Sequence, residues 1–546
     1  MVNQPCGLCA GHKNGLCRCA KEGTTRRFNC VSKRGNTRLI RKNIAMKTNR
    51  RKFIQGLAGA SAGLIIPASC TPKAESKTAN VEAPAIHSKN KPVKASHDIV
   101  VVGAGLSGLH AAMLLEEQGF DVQVIEGRNR LGGRVYTLND VPGKPEAAGE
   151  FIGANYARMR NTVEKLGLEM YTPDAGGGAN RPWLYNIKGE YITAKNWESH
   201  KFNPLEGDDR TLLPHRYLST ISHRDNPLQG KPLNAWLEPE YHQYDIPHDQ
   251  YLRSKGVNEE TIKLMNVIIH AGGMHNTSAM NELRRYHVMH FSDGKTTFPD
   301  GTGWKMIKGG NSLLPQAMAE SMKNEVHLGK TVIGFKEEDG VVQVSCADGS
   351  EYTAKQVVCS IPITVLKNVT FEPVVQGVTK DAINEMDYGL SVQAHFLITE
   401  PFWEQDGMDA NMWTDGPLER FAVRTKKDPS DPDAGLAFIN GPESLKFRLM
   451  NDDQVFTYVE NKLAEIRPST KGKLKRIMIQ SCERDIHGAG DWVYWQPGQV
   501  KKYANHMRKN HGNIHFCGEH TAIMERGMEG AFESGERAAL DIILNA

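Results

Sequence analysis

Residues His97 to Thr137 read HDIVVVGAGLSGLHAAMLLEEQGFDVQVIEGRNRLGGRVYT, and this stretch decides the fold. Ile99 to Val102 is a short β-branched run fit for a buried parallel strand. Gly103-Ala104-Gly105-Leu106-Ser107-Gly108 follows, then an apolar period of about 3.6 from Leu109 to Leu115, then a second strand, Val122 to Ile125, that ends in Glu126. Strand, glycine turn, helix, strand and terminal acid in that order make a βαβ dinucleotide-binding unit. Gly103 allows the tight turn, Gly105 lets the backbone approach a pyrophosphate, and Gly108 lets helix and strand pack closely. Ala104 and Ser107 share the turn, and the helix N-terminus offers N–H groups and a positive dipole end to phosphates. Glu126 is placed to accept hydrogen bonds from a ribose. Such glycine spacing also occurs at close helix crossings without a ligand, but the ordered strands and the acid argue against that here.

The continuation separates nicotinamide from flavin. Arg128 and Leu131-Gly132-Gly133-Arg134-Val135 resemble the extension that flavoproteins of the glutathione-reductase type carry after the acid, where a Gly-Gly-Arg loop meets the FAD diphosphate. A nicotinamide dehydrogenase has no need of that second loop, so the resemblance implies FAD.

With 546 residues the chain can bury a large core and should hold more than one domain. Its net charge of +4 is misleading, because residues 1–52 hold 14 Lys or Arg against one acid. The remaining chain carries 53 basic and 62 acidic side chains, a balance of about −9, and has no basic surface with interleaved aromatics to suit nucleic acid. Asn49-Arg50-Arg51-Lys52-Phe53-Ile54, followed by the uncharged stretch Gly56 to Pro67, reads as a twin-arginine export signal over 46–70, too short and weakly apolar to span a bilayer. The expected destination is the periplasm or exterior. Cys70 follows Pro67-Ala68-Ser69 in a place open to lipidation, although Pro67 stands where a lipobox has Leu. Met46 is the expected start of the signal, which leaves 1–45 as upstream or non-native sequence. Cys6, Cys9, Cys17, Cys19 and Cys30 have zinc-like spacing, but a module ahead of an export signal would be cut away, so no metal is expected. Cys346, Cys359, Cys482 and Cys517, scattered through the body, define no disulfide framework.

Residues 71–96, rich in Lys, Ala, Ser and Pro, read as a tether. Ala148 to Gly153 reads as a strand and turn before a helix from about Arg158 to Leu166. From Tyr171 to Trp304 the chain is less regular and suits a substrate lobe, and its histidines, His270 and His287 among them, lack the spacing of a metal site. Lys308-Gly309-Gly310-Asn311-Ser312 precedes a helix over Leu313 to Met322 and returns the chain to a cofactor domain. A hairpin about Glu338-Asp339-Gly340 and a strand, Gln356 to Ile361, follow. Near the C-terminus, Phe516-Cys517-Gly518-Glu519-His520-Thr521 and Arg526-Gly527-Met528-Glu529-Gly530-Ala531 supply a strand, an acidic turn and a glycine-rich helix start. Two such devices, about 400 residues apart, imply one cofactor gripped from both ends of the chain.

Taken together, GAGLSG with Glu126, LGGRVYT, SIPITVLK at Ser360 to Lys367, FCGEHT and RGMEGAFESGERAA resemble the flavin-dependent amine oxidases, over about 97–546. The resemblance implies an α/β fold: a Rossmann-like FAD domain of the glutathione-reductase type, from 97–169, 308–362 and 483–546, with an inserted α+β substrate domain from 170–307 and 363–482. By resemblance FAD is lined by the dinucleotide glycines with Ala104 and Ser107, Glu126, Arg128, Gly133, Arg134, Gly149, Glu150, Phe151, Gly518, Glu519 and Met528, while Val332 holds adenine through its backbone. Lys367 stands where polyamine oxidases and flavin demethylases have a lysine bridged through water to flavin N5. Gly490 stands where monoamine oxidases have the cysteine bonded to FAD, which implies non-covalent binding. Gly527 and Asp491 fall where the two cage aromatics would be. Asp491 or Glu525 could meet a cationic group, Arg158 or Arg526 a carboxylate, and Trp495 lies in the same substrate segment.

The function implied is oxidative deamination of a primary amine, polyamine or L-amino acid by O2, with release of an aldehyde or keto acid, ammonia and H2O2. Two alternatives stay open on the sequence: an FAD oxidoreductase acting on a C–C bond, of desaturase or protoporphyrinogen-oxidase type, and a flavin-stabilised exported binding protein without catalysis.

Overall fold

Ile99, Val100 and Val101 have no exposed surface, as a strand buried on both faces requires, and each such side chain contributes about 1.5–3 kcal/mol by burial. A computed structural model of the chain describes residues 95–172, 182–290, 303–424 and 430–546, all within the compact unit Ser88–Ala546. The stretch expected to be an export signal, the N-terminal cysteines, Cys70 and the expected tether up to residue 94 lie outside the described residues.

The elements that position the site are β1 (His97–Val102), α1 (Leu106–Glu117), β2 (Val122–Ile125), β3 (Trp183–Ile187), β4 (Glu190–Ile192), α2 (Ala279–His290), β5 (Val332–Glu338), β6 (Val341–Cys346), β7 (Glu351–Cys359), α3 (Ile363–Leu366), β8 (Thr370–Glu372), β9 (Ser391–Ile398), β10 (Asn411–Thr414), β11 (Arg420–Val423), β12 (Ala434–Asn440), β13 (Leu474–Ser481), β14 (Ile514–Phe516) and α4 (Gly527–Asn545).

The first sheet runs β8-β5-β6-β7-β1-β2, with β14 also paired to β7. β1 lies parallel to both β2 and β7, with Val101 opposite Val124 and Val358, and β7 lies parallel to β14. β5 and β6 form a hairpin whose turn residues Asp339 and Gly340 both have positive φ, 52° and 76°, as the twist of the strands favours. β8 pairs with β5, so Thr370–Glu372 belongs to this sheet and not to the inserted lobe expected from residue 363 onward. α1 and α4 pack on one another against this sheet. Gly535 is the contact point, where a Cβ would fall 2.3 Å from the Ser107 carbonyl oxygen.

The second sheet, β13-β9-β12-β11-β10-β3-β4, is assembled from two separated stretches of chain: β10 pairs parallel with β3 and antiparallel with β11. One face of β9 puts Val392, Ala394 and Phe396 against Val455, Val459 and Leu463 of the helix Asp452–Ile466, which starts with an Asn451–Gln454 capping box. No helix among the described residues is long and apolar enough to cross a membrane, and the four body cysteines are buried and free.

Candidate active site

Gly105 precedes α1 with no atom within 4 Å of where a Cβ would stand. Its fellow glycines are the reverse. A Cβ on Gly103, whose φ is +104°, would fall 2.3 Å from Ser360 Oγ, and one on Gly108 would fall 2.0 Å from the Gly103 carbonyl oxygen. Two glycines therefore serve packing and one borders open space. α1 has no side-chain cap and no acid in its first turn, which leaves its leading N–H groups and positive dipole end for an anionic ligand.

Glu126, buried at the end of β2, accepts the Ala104 N–H on one oxygen and the Arg128 N–H on the other, both at 2.8 Å, and keeps a lone pair on each. The Lys330 N–H donates to the Glu126 carbonyl at 2.7 Å, which brings Val332, the first residue of β5, to the same end of the sheet. The Arg128 guanidinium reaches Asp485 at 2.6 Å. Gly133, at φ +58°, lies against Gly105: a Cβ on it would stand 3.4 Å from the Gly105 Cα.

Arg134, the next residue, is where the two ends of the chain meet. Its Nη1 donates to Glu519 Oε1 at 3.1 Å and to the Asp491 carbonyl at 2.5 Å, and its guanidinium lies over the Tyr388 ring. Glu519 Oε1 also accepts the Val493 N–H at 3.0 Å, whereas Oε2 is buried without any hydrogen-bond partner. Gly149, Glu150 and Phe151 are held alongside by Asn311, whose Nδ2 donates to the Gly149 and Glu150 carbonyls at 2.7 and 2.6 Å. Gly518, at φ +122°, donates to Ser534 Oγ, and Met528 packs at the start of α4. An open glycine turn, an uncapped helix and an unpartnered buried carboxylate oxygen fit the phosphates and polar edge of a flavin dinucleotide.

Beyond Arg134 lies a second, strongly charged group. Asp491 Oδ2 sits 2.5 Å from His270 Nδ1, and the His270 ring lies against Trp492 with centroids 4.5 Å apart. Burial pulls the His270 pKa down and Asp491 only partly offsets it. Gly389 makes room for this pair, since a Cβ there would lie 2.2 Å from Asp491 Oδ1. A tight pocket next to it is lined by Asn281, Arg284, Arg285, Trp495, Glu525 and Arg526. Arg526 lies over the Trp492 and Tyr494 rings, and Arg285 pairs with Glu282 at 3.3 Å. Burial opposes the Glu282 charge, but Arg285 and Arg526 hold its pKa below the usual carboxylate value. Burial pushes Glu525 the other way, and its carboxyl takes a hydrogen bond from Asn155 at 2.7 Å.

The chain matches the family described as flavin containing amine oxidoreductase over residues 106–543. It belongs to that family. It is 26% identical to bovine flavin-containing amine oxidase B over 462 residues, 82% of this chain and 86% of that one, and 25% identical to the zebrafish flavin-containing amine oxidase over 467 residues with the same coverage. Among solved structures it is similar to a putrescine oxidase variant, with a TM-score of 0.68 at 20% identity, and to a cyclohexylamine oxidase from Brevibacterium oxydans, with a TM-score of 0.67 at 19% identity. Each covers 82% of this chain and 99% of the other. The chain is a flavin-dependent oxidoreductase with an FAD-binding Rossmann-like domain and a substrate domain.

Several expected site residues stand elsewhere than the motifs imply. Lys367 is exposed. The chain after Pro362 closes as the single turn α3, in which Ile363, Thr364 and Leu366 take the buried side and Lys367 ends in solvent. Arg158 is committed to Glu529 and Glu536, at 3.3 and 2.6 Å, and is not free to take a substrate carboxylate. Gly527, at φ +67°, has open space where a side chain would project, and Asp491 is the partner of His270. His270 and Arg285 lie in the irregular stretch between Tyr171 and Trp304, which carries no motif, and Arg420 stands in a strand with no motif of its own. The one available signal was Asp491 itself, an acid at an aromatic position, which needs a buried partner.

Proposed function

We propose that this chain binds FAD non-covalently and oxidatively deaminates an amine with O2, releasing ammonia and H2O2. The carrying observation is the Arg134 contact with both Glu519 and the Asp491 carbonyl, which joins the cofactor cradle to the charged pocket. In this reading α1 and Gly105 take the diphosphate, Glu126 a ribose, and the backbone at Val332 the adenine. Arg134, Gly149 to Phe151, Gly518, Glu519 and Met528 surround the flavin end. FAD held there would supply the two-electron redox chemistry between the substrate and O2. The protein orients the amine over the flavin and excludes water. The absence of a covalent link is supported at Gly490: its φ is +145°, and a Cβ would lie 2.0 Å from the Tyr388 Cβ, which leaves no room for a tethering side chain.

Anaerobic bleaching of the bound flavin by an amine or amino acid, followed by stoichiometric ammonia and H2O2 once air is admitted, is the expected result. Bleaching without ammonia would overturn the reading. We also infer export through Arg50 and Arg51. Replacing both with lysine is expected to retain the protein in the cell, and normal export of that variant would contradict it.

A further inference from the structure

The second sheet carries one row of side chains whose middle member, Arg420, acts on Arg285 and His270 of this site. Across β9, β12, β11 and β10 the register sets Gln393 opposite Phe438, Phe438 opposite Arg420, and Arg420 opposite Trp413. Directly opposed residues share a face, so Arg420 stands mid-row. Its guanidinium carbon lies 4.6 Å over the Phe438 ring. Among the described residues that guanidinium makes no hydrogen bond and no ion pair, and its Nε is buried. Arg420 is half-buried, and its buried Nε–H has no acceptor, a donor that a ligand could complete.

The surroundings do not supply the missing charge. Glu419, the residue before β11, is the first acid that acts on Arg420, but burial pushes its carboxyl up to about 8 and so opposes its charge. Arg285 and Tyr494 are the other groups that act on Arg420, and Arg420 in turn acts on His270. Glu282 is shared by Arg285, at 3.3 Å, and Arg526, at 4.0 Å. Four guanidiniums, Arg284, Arg285, Arg420 and Arg526, thus face Glu282, Asp491 and Glu525, the last with its charge opposed by burial, and the surplus is positive. A diamine would bring a second ammonium into that surplus. A carboxylate would match the planar fork of Arg420 and cancel the charge.

We propose that the substrate is an amine that also carries a carboxylate, an amino acid, and that Arg420 with Arg526 binds the carboxylate while the amine lies toward the His270–Asp491 pair. This rests on the amine-oxidase reading above. Arg420 acts as a specificity-determining residue, and its position suits either an α-carboxylate or one placed further from the amine.

The test uses the full-chain holoenzyme and two matched pairs: L-leucine against 3-methylbutylamine for the α-carboxylate, and 4-aminobutyrate against butylamine for the remote one. Anaerobic flavin reduction should favour the carboxylate-bearing member of one pair by about 10²-fold in rate over binding constant, and the pair that responds tells the two carboxylate positions apart. Benzoate, which has no amine, should perturb the flavin absorption of the wild type. Arg420→Met should weaken its binding by about 10²-fold, with partial recovery in Arg420→Lys. If both plain amines reduce the flavin as fast as their partners and benzoate leaves the spectrum unchanged, the carboxylate proposal is overturned while the oxidase reading stands. If none of the four reduces the flavin, both fall. The wild-type measurements need no variant to fold.

Discussion

Arg134 Nη1 lies 3.1 Å from Glu519 Oε1, although 385 positions separate the two residues in the chain. The Glu519 side chain is 3% exposed, and Arg134 is its ion-pair partner. Removing Arg134 leaves a buried carboxylate with one backbone N–H, and Arg134→Met should cost about 3 kcal/mol of stability and most of the FAD. Flavin content after gel filtration and the melting temperature check this. Full flavin content in the variant would contradict the role assigned to the pair.

The three glycines of the first turn should separate cofactor binding from folding. Gly105→Ala, with free space for its Cβ, should melt near wild type without FAD yet bind FAD more weakly. Gly108→Ala, driven against the Gly103 carbonyl, should lose about 1–3 kcal/mol with or without FAD. Equal effects of the two on the cofactor-free protein would contradict this division.

Acid should destabilise the protein well above the carboxylate range. Burial lowers the pKa of His110, His248 and His515 to about 4 and of His395 and His520 to about 3. An unfolded chain takes up these protons near pH 6.5, whereas the folded one does not, so their contribution is complete above that pH and is lost as pH falls toward 4. His248 alone accounts for about 3 kcal/mol by pH 4. Glu529, pushed up to about 7 by burial, and Glu419 work in the opposite direction, with stability present below about pH 4.5 and lost as pH rises through 7 to 8, but they are outnumbered. Melting temperatures from pH 7.5 down to 5 should fall steadily. A flat profile would refute the sign.

Gly490→Cys should not create a covalent flavin, because the added side chain meets Tyr388 first. After acid precipitation the yellow colour should stay in the supernatant for wild type and variant alike, with less flavin in the variant. Colour fixed to the variant's pellet would show that Tyr388 gives way.

Lys367→Met should leave both flavin reduction and reoxidation at wild-type rates, since Lys367 is exposed at the end of α3. Stopped-flow traces of the two half-reactions check this, and a tenfold loss in either would return Lys367 to the mechanism.

The contrast between Lys367 and Glu519 marks what a sequence can carry. The glycine turn, Glu126 and the start of α4 are local devices: each is a run of neighbours whose backbone geometry follows from glycine, helix and strand chemistry, so β1, α1, β2, β14 and α4 were legible. Glu519 was legible because it stands inside such a run. Lys367 is exposed at the end of α3, and a motif gives the order of residues and not the direction in which a one-turn helix points its last side chain. The His270–Asp491 pair spans 221 positions and Arg420 is defined by the partners it lacks, and neither property belongs to any continuous stretch.

The pairing of β14 with β7 and of α4 with α1 bears on how the protein is made. The segment that closes the cofactor cradle leaves the ribosome some 400 residues after the βαβ unit. Until Ile514 to Asn545 have emerged, α1 lacks its packing neighbour and Arg134 lacks Glu519. A nascent chain can shape the βαβ unit but cannot hold the dinucleotide, and the search that joins segments some 400 residues apart is a slow, non-local step. Flavin capture therefore waits until both ends of this unit have emerged and joined, and bound FAD reports that they have.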